Sequence, residues 1–159
     1  MRVRRAKRED LDVLARIAGE GYSSAYADLL EPGTVEGLVA STFSQSALLR
    51  RMLAGGLLVA TGAEDRPIGF ADAERENGHV VVTTIVTDPP FRRLGVAASL
   101  LTAAAGLSPG DPICAEVLLG NESGERFCEA CGLVPGETVT AVIGREHAVS
   151  RRWWLADSG

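Results

Sequence analysis

Cysteine is scarce in this chain: three residues, Cys114, Cys128 and Cys131, among 159. A small odd number in a chain of this length is not a secreted disulfide framework, and a reducing cytoplasm is the expected setting. Positive charge is also in deficit. Lys and Arg number 16 against 21 Asp and Glu, for a net charge of −5 and a pI near 5.1. A dedicated nucleic-acid binder is expected to be basic, so that class is disfavoured. No apolar run approaches the length of a membrane span, which speaks against a membrane partner. The Arg-rich start is not followed by the apolar stretch of a secretory signal. No repeat, low-complexity tract or long linker interrupts the chain.

What is there is ordinary globular composition, with 46% hydrophobic and 23% charged residues, which argues against disorder. The length predicts one domain over 1–159. A fold of this size buries roughly 68–70% of the surface its unfolded chain exposes, so no disulfide or metal staple is needed. The early bases Arg2, Arg4, Arg5, Lys7 and Arg8 read either as a nucleic-acid or membrane patch or as an edge strand entering a helix. Glu9, Asp10 and Asp12 follow at once and cancel the field, which favours the strand.

Leu11, Leu14, Ala15, Ile17 and Ala18 recur at helical spacing and predict a helix over 9–22, loosened at its end by Gly19 and Gly21. A second helical region runs from about 34 to 54, with a break suggested by Ser44 and Ser46 and an end at Gly55-Gly56. Residues 57–61, 68–74 and 80–87 read as a three-strand antiparallel meander, with Asn77-Gly78 as the hairpin turn. Then come a helix from about 95 to 107, a strand over 113–119, and a helix over 123–131 stopped by Gly132. Strands at 134–143 and 148–155 close the chain. The fold class is therefore α/β: a mixed, mostly antiparallel twisted sheet of about seven strands flanked by about four helices.

One segment carries a chemical argument. A β-branched strand ends at Thr87 and Asp88, Pro89-Pro90 fix a turn, Arg92 and Arg93 follow, and Leu94, Gly95, Val96, Ala97 and Ala98 lead into an apolar helix. A helix N-terminus offers unpaired N–H groups and a partial positive charge, which suits phosphate. Gly95 and Ala97 leave the backbone approachable, and the arginines add charge-assisted donors. No Gly-Lys-Ser/Thr follows, so this is not a Walker loop, and too few glycines are present for a dinucleotide fingerprint. Taken alone, the segment fits a pyrophosphate site or an ordinary strand–turn–helix with solvated arginines.

Here the chain resembles the GNAT superfamily of acetyl-CoA-dependent N-acetyltransferases. Arg92, Gly95 and Ala97 fall on that family's loop pattern, and Asn121 through Leu133 is similar to its Asn–small–aromatic–Gly segment. The resemblance implies acetyl-CoA as co-substrate and no metal. It implies that main-chain groups of Ile85, Val86 and Thr87 pair with the pantetheine arm like an added strand. N–H groups from Arg93 through Ala98 would hold the pyrophosphate, and Asn121 would flank the thioester. It also implies a small-molecule or peptide amine acceptor and is compatible with a homodimer. The same fold could instead serve as a non-catalytic module that binds or senses acyl-CoA.

Acetyl transfer to an amine needs a proton acceptor for the amine, a donor for the developing oxyanion, and optionally an acid for the leaving thiolate. The family often carries Tyr seven residues after the Asn; here that position is Cys128. Its thiol reads as a substitute acid or as a small buried filler. For the base, Glu116 is the first choice: it shares a strand face with Cys114 and Leu118, and apolar neighbours would suit a base by raising its pKa. Asp72 and Glu74, expected on one face with Ile68 and Phe70, read as acceptor-binding carboxylates or solvated strand-end groups. His79, beside the turn, reads as solvated. Tyr22, Tyr26 and Phe43 belong to the helical region expected to hold the acceptor. Cys128 and Cys131 lack the second pair a zinc site needs. Of Trp153 and Trp154, alternation sends one to the core and the other to a sheet face or dimer contact.

Overall fold

Alternating β-branched residues and the Asn77-Gly78 turn, whose residues both take positive φ (48° and 83°), build the centre of the fold. The computed structural model describes residues 1–143 and 145–156. Within them lie seven strands: β1 (Arg2–Arg5), β2 (Leu57–Thr61), β3 (Pro67–Glu76), β4 (His79–Thr87), β5 (Ile113–Leu118), β6 (Leu133–Ile143) and β7 (Glu146–Leu155). They form one sheet in the order β1-β2-β3-β4-β5-β7-β6. Every pairing is antiparallel except β4 with β5. Five α-helices accompany it: α1 (Leu11–Ala25), α2 (Pro32–Thr42), α3 (Gln45–Ala54), α4 (Val96–Ala105) and α5 (Glu122–Ala130). The expected second helical region is two helices, because the Ser44 hydroxyl caps α3 by accepting from the Ala47 N–H at 3.2 Å.

One face of the sheet carries α4 and α5 on Leu58, Ala71, Val80, Val82, Ala115 and Val117. The other carries α1 and α3 on Leu57, Val59, Phe70 and Val86. Leu14, Ile17, Leu48 and Phe70 are fully buried there, each worth about 1.5–3 kcal/mol of burial. Two of the early bases enter ion pairs: Arg4 forks onto Asp10 at 2.7 and 3.1 Å, and Arg4 and Lys7 both reach Asp65.

Two expectations change. Gly19 and Gly21 lie inside α1 rather than loosening its end. A Cβ on Gly21 would meet Val86 Cγ1 at 2.7 Å, so this glycine exists to let α1 lie close on β4. Ile68 does not share a face with Phe70. The β2–β3 register shifts between Ala60 and Thr61, leaving Ile68 as the extra residue of a bulge. Ile68 therefore packs with the α4 cluster while Phe70 packs under α1.

A second bulge positions the site. Asp72 pairs with Thr84 and Ala73 with Val82, so Thr83 is unopposed. Beyond it β4 and β5 part. Their parallel pairing covers only Val80–Ile113, Val81–Cys114 and Val82–Ala115. Among the described residues no helix is long and apolar enough to cross a membrane.

Candidate active site

Strands that part after three pairs leave a cleft with its apex at Val82 and Ala115. Its volume is about 1110 Å³. Thr83 through Thr87 wall it on one side and Ala115 through Val117 on the other. α1 closes one end, and the α4 start and Asn121 through Gly124 close the rest. The β5-facing edge of β4 past Val82, which includes Ile85, Val86 and Thr87, has no strand partner among the described residues.

The loop after β4 is shaped by backbone conformation. Asp88, buried, accepts from Arg16 of α1 at 3.3 and 3.4 Å, and Pro89–Phe91 form a short 3-10 turn. Arg93 and Gly95 then adopt left-handed φ of 64° and 79°. Gly95 is the N-cap of α4, and no side chain caps that helix. None of the N–H groups of Arg93, Leu94, Gly95, Val96, Ala97 and Ala98 meets an acceptor among the described residues. These donors follow one another through a turn and into a helix N-terminus, a geometry that attracts anions. Arg92 and Arg93 are exposed and border the cleft. The Leu94 side chain turns outward, 64% exposed, so only its main chain belongs to the site.

At the apex stands Glu116, the first residue of β5 past the last β4–β5 pair. It faces away from Ala115 and Val117, which pack in the α4 cluster. Its same-face neighbours Cys114 and Leu118 are buried, as expected, but its carboxylate is ion-paired rather than alone among them. Arg152, its cross-strand partner on β7, donates from Nε at 3.2 Å and from Nη2 at 3.1 Å, both to Oε1. Oε2 receives no hydrogen bond among the described residues.

Tyr22 and Tyr26 of α1 line the same end. Their rings meet edge to face at 5.0 Å, and Tyr22 also packs on Phe43 at 4.9 Å. The Tyr22 hydroxyl lies 3.3 Å from Thr84 Oγ1. Burial pushes both phenols above their ordinary pKa, so they stay protonated. Asn121 caps α5: its Oδ1 accepts from the Gly124 N–H at 3.2 Å. That assignment leaves the side-chain NH2 at the cleft without a partner among the described residues.

Three expectations are corrected. Cys128 borders the cleft but is wholly buried in the α4 cluster, where desolvation pushes its thiol up to about 12. A thiol that holds its proton so firmly is a poor acid for a thiolate, and the filler reading fits. Asp72 is buried on the α3 side, ion-paired with Arg51 and outside the cleft. Its pKa is raised by burial and held back by Arg51. Glu74 is exposed further along β3 and also lies outside the cleft. His79 is not simply solvated: its Nε2 sits 3.5 Å from Arg152 Nη1 and its ring 5.1 Å from Trp154. Trp153 is the core ring and Trp154 the sheet-face ring. Sequence reasoning missed Arg152, Thr83 and Arg16. Alternation along β7 could have put Arg152 on the Trp154 face, but nothing local pairs it with Glu116.

The Acetyltransferase (GNAT) family model matches residues 22–133. The chain belongs to this family. A mycothiol acetyltransferase of Clavibacter michiganensis is 44% identical over 57 residues, which are 36% of this chain and 18% of that enzyme. The chain thus matches less than a fifth of that relative's length. The GNAT fold is shared with the PaiA N-acetyltransferase of Thermoplasma acidophilum, solved with coenzyme A (TM-score 0.77, 18% identity, 94% of this chain and 96% of that one). It is shared as well with a GCN5-related N-acetyltransferase of Rhodopseudomonas palustris (TM-score 0.79, 18% identity, 98% and 94%).

Proposed function

We propose that this GNAT protein transfers the acetyl group of acetyl-CoA to a primary amine, on a small molecule or a peptide N-terminus, by direct attack in a ternary complex. The observation that carries the reading is the run of unpaired N–H groups from Arg93 to Ala98, opening onto the gap between β4 and β5. These donors and the Arg92 and Arg93 guanidinium groups hold the pyrophosphate. The free edge of Ile85, Val86 and Thr87 accepts the pantetheine arm as a short added strand. That path brings the thioester to the apex, beside Glu116 and Asn121.

The acceptor enters from the Tyr22 and Tyr26 side. Glu116 Oε2 takes a proton from the ammonium, and the neutral nitrogen attacks the carbonyl carbon. A C–N bond forms and the C–S bond breaks. The free main-chain edge of β4 and the Asn121 NH2 are the donors nearest the developing oxyanion. Water protonates the departing thiolate, the hydroxide so formed takes the second proton from the nitrogen as the amide forms, and Glu116 returns the first proton to solvent. Rate comes mainly from holding the two reactants together.

The test is thiol release from acetyl-CoA with a panel of amines (tyramine, spermidine, lysine amide and short peptides with free N-termini), with acetylated product read by mass spectrometry. Turnover on one of them, lost in Gly95→Asp, supports the reading. Tight coenzyme A binding without turnover on any amine would make the protein an acyl-CoA-binding module instead. Calorimetry that finds ATP or NAD preferred over coenzyme A would refute the cleft assignment.

A further inference from the structure

On the acceptor face, one arginine touches three groups. Arg152 is 13% exposed at its side chain and contacts Glu116, Glu76 at 3.2 and 3.4 Å, and His79. Its Nε and Nη2 donors are thus directed at the two carboxylates rather than into the cleft. Both bonds to Glu116 end on Oε1. Such a grip fixes the plane of the carboxylate and leaves its other oxygen with unshared lone pairs. Glu76 lies at the end of β3 and His79 begins β4, so Arg152 is itself held from two other strands.

We propose that Arg152 is a positioning residue, which clamps Glu116 Oε1 so that Oε2 is presented at the cleft apex. A glutamate on an isolated strand has several rotamers, most of them pointing to solvent. Ion pairing across β5 and β7 selects one. The role of the clamp in turnover rests on the transferase reading above; its role in geometry does not.

The experiment separates these. Crystal structures of Arg152→Gln and Arg152→Lys report the geometry without any substrate. The expected result is Glu116 turned away from the Val82–Ala115 apex in Arg152→Gln and retained in Arg152→Lys. Glu116 unmoved in Arg152→Gln overturns the proposal. Should the Gln variant fail to fold, Arg152→Ala takes its place: Glu116 turned away from the apex is expected there too, and an unmoved carboxylate overturns the clamp.

Kinetics use the amine of the panel with the highest turnover. Arg152→Gln should lower kcat about tenfold with the KM for acetyl-CoA within twofold. It should cost nothing further in a Glu116→Gln background. Additive losses sink the positioning role even if Glu116 matters. Full kcat in Glu116→Gln alone sinks the assignment of the base and leaves the crystallographic result standing.

Discussion

The two ends of the cleft are made of different material. The end at α4 is main chain: six N–H groups aimed by left-handed turns at Arg93 and Gly95, and a strand edge freed by the Thr83 bulge. The end at α1 is side chain: two tyrosines packed edge to face, and a carboxylate held by an arginine from another strand. Main-chain donors are present whatever the residue, so the first end tolerates substitution that keeps backbone shape. The second end depends on the identity of each group. A shared carrier suits the first, and an acceptor that differs among relatives suits the second.

The contrast breaks first at Gly95. Gly95→Asp keeps room for its Cβ, which would meet nothing within 4 Å, yet puts negative charge among the anion-seeking donors. Each charge-assisted bond is worth about 1.5–3 kcal/mol, so coenzyme A affinity by calorimetry should fall roughly 10³-fold. A left-handed φ costs a side chain about 1–2 kcal/mol, which lowers the melting midpoint by only several degrees. Unchanged affinity would move the site elsewhere.

Glu116→Gln tests the other end. A general base contributes on the order of 10²–10⁴ in rate, so kcat should fall about 10²-fold while coenzyme A binds as before. Tyr26→Ala should act more gently. Loss of one aromatic wall raises the acceptor KM about tenfold and leaves coenzyme affinity within twofold. Equal damage to both ligands would erase the division between the ends.

The smallest effect belongs to Cys128→Ala, which borders the cleft without serving either end. Its kcat should stay within twofold, with about 1 kcal/mol of stability lost from the core. The thiol pushed up to about 12 is almost wholly protonated at pH 8, and iodoacetamide should leave it unlabelled in the folded protein. The half-buried Cys131 should label first, and mass mapping checks the order.

Much of the fold was legible because its signals are local. The Asn77-Gly78 turn, the Ser44 break, the Gly132 stop and the β-branched runs each act within a few residues. Leu133–Ile143 and Glu146–Leu155 fall within two residues of the predicted pair. The loop at Arg92 through Ala98 was legible for the same reason: a proline-fixed turn entering a small-residue helix start needs nothing distant. The α1 end was not. Asp72 and Glu74 looked like candidates because alternation along β3 placed them on one face, but it could not foresee Arg51 arriving from α3. Cys128 stood in the right column of a motif, while its burial depends on β5, β6 and α4 together.

Local chemistry thus set the order of elements and the anion-seeking turn, since backbone preference and hydrophobic period operate between neighbours along the chain. Pairing across space decided the rest. Two one-residue bulges chose which side chains share a face and where β4 leaves β5. The register of β7 on β5 brought Arg152, 36 positions away, against Glu116. Register is settled by the burial of whole strand faces at once, a collective balance that no short stretch of residues contains.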